Sequence, residues 1–473
     1  MNSRYDVIVI GAGAAGLTVA GGCARFGLRT VLIERGRMGG DCLNSGCVPS
    51  KALLAAAHQA QAVRDAGKFG VSAGDPVIDW PSVRAHVRAA IEAIAPHDSE
   101  ARFRAWGVEV IHGAARFTGR SSVSVAGRVL SARRVVIATG SRPRLPPVDG
   151  LSAVPLLTNE TLFDLPELPR HLLVLGGGAA GVEMAQAFRR LGAAVTLVEA
   201  GRPLPRDDPE AAALVLARLA AEGVVVRTNV AVAKAAAIAG GVRLTLADGT
   251  MAEGSHLLVA AGRAPDLDTL DLPAAGVEAG PEGIRVDAGR RSSNPRVLAV
   301  GDCRAGPRLT HAAGEDGGVA VMRVALGLPA RVRPDALPWV TYTDPELAQV
   351  GLTEAAAIAR YGRVRVVRQD FADNDRAVAQ GNARGYPAGF AKLTLVRGRP
   401  VGVTLVGAGA GELVLPWAML LARRTSLWGL SGVVVPYPTL SEVSRALAFS
   451  AYEARLFGPW ARRWAWLVTR LRR

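Results

Sequence analysis

An α/β fold built on two dinucleotide-binding units is predicted by three observations. The apolar run "YDVIVI" at residues 5–10 ends in "GAGAAG", a second apolar run at 171–175 ends in "GGGAAG", and each is followed by a helical stretch and another apolar run closed by a glutamate. In the first unit Gly11 allows the tight turn, Gly13 lets the backbone approach a pyrophosphate, Gly16 lets helix pack on strand, and the helix N-terminus faces the phosphates. Glu34 ends "TVLIE", 23 positions after Gly11, and is placed to accept from a ribose hydroxyl. Gly176, Gly178 and Gly181 repeat the pattern, and Glu199 again follows the first glycine by 23 positions. One glycine fingerprint is weak in a chain with 54 glycines. Two in register, each with its strand, helix and acid, imply two Rossmann-like domains and two dinucleotides. The glycines do not say which nucleotide sits where. Glu199 favours NADH over NADPH, because a carboxylate repels a 2′-phosphate, while Arg202 and Arg206 nearby offer an accommodating cation.

Length and composition agree with this. A chain of 473 residues exceeds what one core supports, so two to four domains are expected. With 49% hydrophobic and 21% charged residues it reads as folded. The start "MNSRYDVIVIGAG" has no basic-then-apolar leader, and no apolar run approaches the roughly 18–20 residues that span a bilayer, so a cytoplasmic protein is expected. The net charge of +15 comes from 52 arginines and four lysines. The arginines are mostly scattered singly, and no zinc-finger or RNA-binding signature accompanies them, so nucleic acid is not expected as a partner.

The stretch "GGDCLNSGCVPSK" at 39–51 then places Cys42 and Cys47 just after the first ribose-binding acid. The chain has only two other cysteines, Cys23 and Cys303, which read as buried small residues. Zinc wants four ligands, and no further Cys or His stands nearby, so no metal site is expected. A structural disulfide does not suit a reducing compartment. A dithiol exchanging electrons with a neighbouring cofactor remains, and a flavin can exchange both hydride and thiolate electrons.

That stretch, together with the two nucleotide motifs, resembles the FAD-dependent pyridine nucleotide-disulfide oxidoreductases, the family of dihydrolipoamide dehydrogenase, glutathione reductase and mercuric reductase. The resemblance extends through "ATGSRP" (138–143), "AAGRAPD" (260–266), "AVGDC" (299–303), "YTDPELAQVGLTE" (342–354), "NDRAVAQG" (374–381) and "GAGAGELV" (407–414). It implies an FAD domain over 1–150 that holds the redox disulfide, an NAD(P) domain over 151–282, an FAD return segment over 283–334, and an α+β dimerisation domain over 335–455, with a basic tail at 456–473. Gly40, Thr139, Gly140 and Asp302 would then contact FAD with the first glycine set, and Gly262 the NAD(P) with the second. Cys47 would lie against the flavin ring and Cys42 would attack the substrate. Lys51 would sit near the flavin, paired with Glu183 beside the nicotinamide. A lysine kept here in so arginine-rich a chain fits a need for a compact ammonium. The implied chemistry is a relay from NADH or NADPH through FAD to the Cys42–Cys47 disulfide. Asp41, where the family usually has a small neutral residue, works against a reactive thiol if its carboxylate lies close to Cys42.

The C-terminal pattern departs from the disulfide-reducing members. Where they carry "HPxxxE", supplying a histidine from the other subunit, this chain reads "PYPTLSEV", with Tyr437 in the histidine position and Glu442 in place. A phenol is a poor proton shuttle at neutral pH. Tyrosine here, and "GDC" at 301–303, are similar to mercuric reductase, although the C-terminal cysteine pair of that branch is absent. The expected function is therefore a homodimeric, mercuric-reductase-like oxidoreductase acting on a thiol-bound metal ion or a disulfide. The alternatives are dihydrolipoamide dehydrogenase, or a membrane-associated FAD-binding redox sensor. The second alternative rests on "RLFGPWARRWAWLVTRLRR" (455–473). There Trp460, Trp464, Leu467, Val468 and Leu471 form an apolar stripe against six arginines, as in a helix lying on the inner face of a membrane or packing on its own dimer.

Overall fold

The computed structural model describes residues 4–381, 389–423 and 426–472. The first three residues of the chain and the last arginine of the tail lie outside them.

The first glycine unit opens with β1 (Arg4–Ile10), whose side chains from Val7 to Ile10 are all buried. Burial on both faces explains why its apolar run does not alternate. It leads through the turn into α1 (Ala14–Arg25) and β2 (Thr30–Glu34), which pairs in parallel with β1. Four helices come next: α2 (Gly40–Asn44), α3 (Cys47–Asp65), α4 (Trp80–Ile94) and α5 (Glu100–Ala105). The starts of α4 and α5 are fixed by N-caps, the Asp79 side chain accepting from Ser82 N–H and Ser99 from Arg102 N–H. β3 (Glu109–His112) then joins β2. β4 (Arg116–Gly119) and β5 (Ser122–Val125) form an antiparallel flap on β6 (Arg128–Ile137), which returns parallel to β1.

Two crossing strands connect the units. β7 (Ser141–Pro143) leads out, and the second unit follows with β8 (His171–Leu175), α6 (Ala179–Arg190), β9 (Ala194–Val198), α7 (Pro209–Ala221) and β10 (Val225–Arg227). An antiparallel three-stranded sheet, β11 (Val232–Ile238), β12 (Gly241–Leu246) and β13 (Met251–Gly254), precedes β14 (His256–Val259), which completes a parallel sheet of order β10-β9-β8-β14. β15 (Arg263–Pro265) leads back and pairs antiparallel with β7. After α8 (Leu272–Ala275) and the small hairpin of β16 (Ala279–Gly280) and β17 (Gly283–Ile284), β18 (Val297–Ala299) rejoins the first sheet beside β6. α9 (Thr310–Ala325) then packs on α1.

The last part is a five-stranded antiparallel sheet of order β19-β20-β23-β22-β21, made of β19 (Pro338–Thr341), β20 (Glu346–Gly351), β21 (Arg365–Asp370), β22 (Phe390–Val396) and β23 (Arg399–Gly407). α10 (Glu354–Tyr361) and α11 (Asp375–Ala379) interrupt it. α12 (Ala410–Leu413), α13 (Leu415–Arg423), α14 (Leu427–Ser431) and α15 (Glu442–Leu456) follow, with Trp417 fully buried and its indole N–H donated to Ser444 Oγ at 3.0 Å. Buried charges lock this sheet to the second unit. Arg190 donates to Glu222 at 2.6 Å and Asp344 at 2.8 Å, and Lys392 reaches Asp208 at 3.1 Å and Glu354 at 3.3 Å. α16 (Pro459–Leu471) forms over the tail, as its periodicity predicts, and none of its residues is buried.

Candidate active site

The two glycine turns are superimposable in their logic. Gly11 has φ +106° and Gly176 φ +114°, and a Cβ on either would stand 2.3 Å from Ala138 O or 2.6 Å from Ala260 O. Only glycine meets both demands. At Gly16 and Gly181 a Cβ would strike the carbonyl of the turn glycine at 1.8 and 2.0 Å, so helix and turn touch directly. The middle glycines differ in kind. A Cβ on Gly13 would meet only Gly40 Cα at 3.9 Å, and one on Gly178 would meet nothing within 4 Å. That is space left for a ligand. Glu34 and Glu199 also act alike, each carboxylate accepting from the glycine turn (Ala12 N–H or Gly177 N–H, both 2.6 Å) and from the residue two positions on (Gly36 N–H at 2.6 Å, Gly201 N–H at 2.9 Å). A carboxylate has lone pairs to spare for a ribose hydroxyl as well.

The first turn opens a cleft of about 500 Å³ lined by Gly11, Gly13, Glu34, Thr139, Gly140 and Asp302, and closed at one end by Cys42, Cys47 and Thr310. It fits a dinucleotide with a flavin ring. Thr139 Oγ1 is buried without a hydrogen-bond partner among the described residues, which marks a place for a ligand's polar atom. Asp302 accepts from Ser141 Oγ at 2.9 Å, and burial raises its pKa. Gly40 packs its backbone on Gly13, where a Cβ would stand 2.6 Å from Gly13 Cα. Gly140 and Gly262 flank the β7–β15 crossover, both with positive φ.

Cys42 ends up in α2 and Cys47 at the first position of α3, and both line the same cleft. The pair is unequal. The neighbouring Cys42 thiol, with the Thr310 hydroxyl and the Lys51 ammonium, holds the Cys47 thiol down to about 6, while the neighbouring Cys47 and burial push Cys42 up. The first thiolate therefore sits on Cys47. Cys47 Sγ lies 3.1 Å from Thr310 Oγ1, at the start of α9. Beside them Lys51 Nζ donates to Glu183 Oε2 at 2.8 Å and lies 4.4 Å from the centre of the Tyr342 ring. Glu183 is buried, and its other oxygen accepts from Tyr342 N–H at 2.9 Å.

Comparison with known proteins agrees with this geometry. The pyridine nucleotide-disulphide oxidoreductase family matches residues 5–317, and its dimerisation domain matches residues 337–448. The chain belongs to this family. It is 34% identical to a dihydrolipoyl dehydrogenase of Chlorobaculum tepidum over 96% of this chain and 98% of that one. It is 33% identical to a mercuric reductase of Streptomyces lividans over 94% and 96% of the two chains. Among solved structures, the Cu(II) complex of the HOCl-induced flavoprotein disulfide reductase RclA of Escherichia coli aligns with a TM-score of 0.83 at 26% identity, over 93% of this chain and 99% of that one. The protein is thus a flavoprotein oxidoreductase of a family that binds FAD and NAD(P)H, and its dimerisation domain supports a homodimer.

For this oxidoreductase the structure gives the partners of three residues singled out in the sequence, Asp41, Tyr437 and Arg202. Asp41 does not stand as a free carboxylate. Its carboxylate pairs with Arg263 at 2.7 Å and accepts from Ser45 Oγ at 2.5 Å and Asn159 Nδ2 at 2.8 Å, so its charge is compensated beside the thiols, although it still works to raise the pKa of Cys47. Arg263 in turn donates to Ser141 Oγ at 2.7 Å and Ser141 O at 2.8 Å, tying α2 to the β7–β15 crossover. Tyr437 does not pair with Glu442. Its hydroxyl donates to Asp375 Oδ2 at 2.7 Å, which raises its pKa above that of an ordinary phenol, and Glu442 instead accepts from Thr439 N–H at 3.3 Å. Arg202, offered as a cation for a 2′-phosphate, is spent on its own loop, donating to the carbonyls of Pro205 and Asp207 at 3.0 and 3.1 Å. Thr310, Arg263 and Asn159 are the site residues that sequence reasoning passed over. Arg263 and Tyr342 stand inside recognised motifs, but nothing local marks Thr310 or Asn159.

Proposed function

We propose that the protein is an NAD(P)H-dependent flavoprotein reductase whose Cys42–Cys47 pair takes up two electrons and passes them to an acceptor engaged through sulfur, a soft metal ion or a disulfide. The observation that carries this reading is that Cys42 and Cys47 together line the cleft formed by Gly13, Thr139 and Asp302. On this reading residues 1–150 and 283–334 hold FAD, 151–282 the nicotinamide nucleotide, and 335–455 the partner subunit. Bound in the cleft, FAD supplies a two-electron carrier between a nicotinamide and a disulfide. Glu183 fixes Lys51, and Lys51 and the Thr310 hydroxyl hold the negative charge on Cys47. Cys42 is the sulfur left to meet the acceptor. Glu199, with its carboxylate anchored and Arg202 bonded to the carbonyls of its own loop, favours NADH.

Tyr437 bears on the choice of acceptor. A phenol already bonded to a carboxylate does not shuttle protons at pH 7, so a metal ion, which needs no thiol protonated, suits that position, and a disulfide needs its proton from elsewhere. A mercuric reductase and a Cu(II) complex among the similar proteins support the metal reading. The test is NADH oxidation by the holoenzyme with thiol-complexed Hg(II) or Cu(II). Cys42→Ser lowers the rate at least ~10²-fold if the pair carries the electrons, and an unchanged rate refutes the reading.

We also propose peripheral contact with an anionic lipid surface through α16. Its Trp460, Trp464, Leu467 and Leu471 are exposed, four described arginines accompany them, and no acid occurs after Glu453. No described helix is long and apolar enough to cross a membrane. Cosedimentation with anionic vesicles, lost on deleting 459–473, supports the contact. Equal sedimentation of the truncated and full chains counts against it.

A further inference from the structure

Both crossings between the two units converge on the loop that carries the cysteines. Asn159 lies in the turn at 158–161, beyond β7 on the way out, and Arg263 opens β15 on the way back. Asn159 Nδ2 donates to Asp41 Oδ1 at 2.8 Å and to the carbonyl of Ser45 at 3.1 Å. Arg263 holds the other carboxylate oxygen, Oδ2, at 2.7 Å, and its Nη1 donates to Asn159 Oδ1 at 3.2 Å, so guanidinium and amide orient each other. From inside the loop Ser45 donates its hydroxyl to Asp41 Oδ1 at 2.5 Å and its N–H to Asp41 O at 2.9 Å. The other residues between the cysteines are fixed as well. Leu43 is buried, Asn44 Nδ2 donates to the carbonyls of Met38 and Gly40 at 3.0 and 2.8 Å, and a Cβ on Gly46 would stand 2.8 Å from Asp41 O.

Two consequences for the pair follow, and they have the same sign. The Cys42–Cys47 disulfide takes up two electrons and one proton to give a Cys42 thiol and a Cys47 thiolate. A loop that cannot spread apart keeps the two sulfurs at high effective concentration, which favours the disulfide. A carboxylate fixed in the same cleft disfavours the new thiolate, and Asp41 does act to raise the Cys47 pKa, even with Arg263 compensating part of its charge. We propose that Asp41, held by Arg263 and Asn159, is a positioning residue that makes the Cys42–Cys47 dithiol a stronger reductant than it would be with a neutral residue at 41. The proposal rests on the relay reading above and deepens it by saying what sets the driving force of the last step. There the dithiol gives two electrons to the acceptor, closes again to the disulfide and releases the proton it took up. A soft metal ion held by thiolates is harder to reduce than the free ion, and a more strongly reducing pair suits it.

The experiment equilibrates FAD-loaded holoenzyme anaerobically with mixtures of reduced and oxidised dithiothreitol at pH 7, and counts free Cys42 and Cys47 by alkylation and peptide mass spectrometry. Asp41→Asn keeps the shape of the side chain and removes its charge. It is expected to move the equilibrium toward the dithiol by about tenfold, the size of a one-unit change in thiolate pKa, which is about 30 mV. Asn159→Leu leaves the charge and removes both amide donors, and is expected to move the equilibrium the same way by a smaller factor. A residue with a purely structural role would lower the unfolding temperature or the FAD content and leave this equilibrium in place. An Asp41→Asn constant equal to that of the wild type, or one moved toward the disulfide, overturns the proposal. If Asp41→Asn does not fold, Asn159→Leu decides by the same criterion. Dithiothreitol needs neither nicotinamide nor flavin to reach the pair, so the result stands apart from the relay. Cysteines that NADH fails to reduce, read by counting thiols after NADH alone, would strike the relay reading instead.

Discussion

At the scale of single residues, the account turns on which sulfur holds the charge. Cys47 is held down to about 6 by the thiol of Cys42 first, and then by the Thr310 hydroxyl and the Lys51 ammonium. Its thiolate is therefore present above that pH and lost as pH falls through it. Iodoacetamide should modify Cys47 of the reduced holoenzyme at a rate that falls tenfold per pH unit below about 6, checked by mass spectrometry of the peptides. Thr310→Val removes the 3.1 Å contact at nearly constant volume. The midpoint should rise by about one pH unit, since a hydrogen bond to a charged group contributes about 1.5–3 kcal/mol and one unit is about 1.4. An unmoved midpoint would show that the hydroxyl points elsewhere. Asp41 and Arg263 make a second residue-scale case. Arg263→Met leaves the Asp41 carboxylate uncompensated beside the pair and should raise the same midpoint, while adding Asp41→Asn should bring it back. Additive shifts in that double-mutant cycle would mean the two do not act together.

Elements decide how much of this could be read in advance. The two glycine turns were legible because every demand they meet is local: a positive φ at Gly11 and Gly176, helix against turn at Gly16 and Gly181, an acid at the end of the next strand. Gly178→Ala, with φ −71° and no protein atom within 4 Å of the new Cβ, should fold normally and keep FAD while raising the KM for NADH; an unchanged KM would mean no phosphate approaches there. Gly11→Ala should not retain FAD, because its Cβ meets Ala138 O at 2.3 Å. The Lys51–Glu183 pair spans 132 residues, and it was legible only through the family resemblance, since Lys51 closes the cysteine motif and Glu183 follows the second glycine turn. Thr310 acts on Cys47 from 263 residues away with no motif around it, and its role appears only when α9 is laid against α1. Asp41 looked harmful because its counter-charge, Arg263, arrives on the returning strand β15. The carboxylate partner of Tyr437 is set by α11 and not by the spacing to Glu442.

The whole molecule depends on holding the second unit against the C-terminal sheet. Lys392, buried between Asp208, Glu210 and Glu354, is one of those clamps. Removing it leaves the buried Asp208 without its cation, so Lys392→Met should destabilise the holoenzyme by about 3–5 kcal/mol, seen as a lower unfolding temperature. A change within error would mean that solvent already reaches the pair. Above these local tests stands the claim that two electrons from a nicotinamide end on Cys42 and Cys47. The measurement that tests it most directly is differential alkylation of the FAD-loaded homodimer, before and after anaerobic addition of NADH, read by peptide mass spectrometry. The account predicts that Cys42 and Cys47 are linked and unlabelled in the oxidised protein and both labelled after one equivalent of NADH, with Cys23 and Cys303 unlabelled in both because they are buried. Cysteines 42 and 47 already free in the oxidised protein, or still linked after NADH, would contradict it.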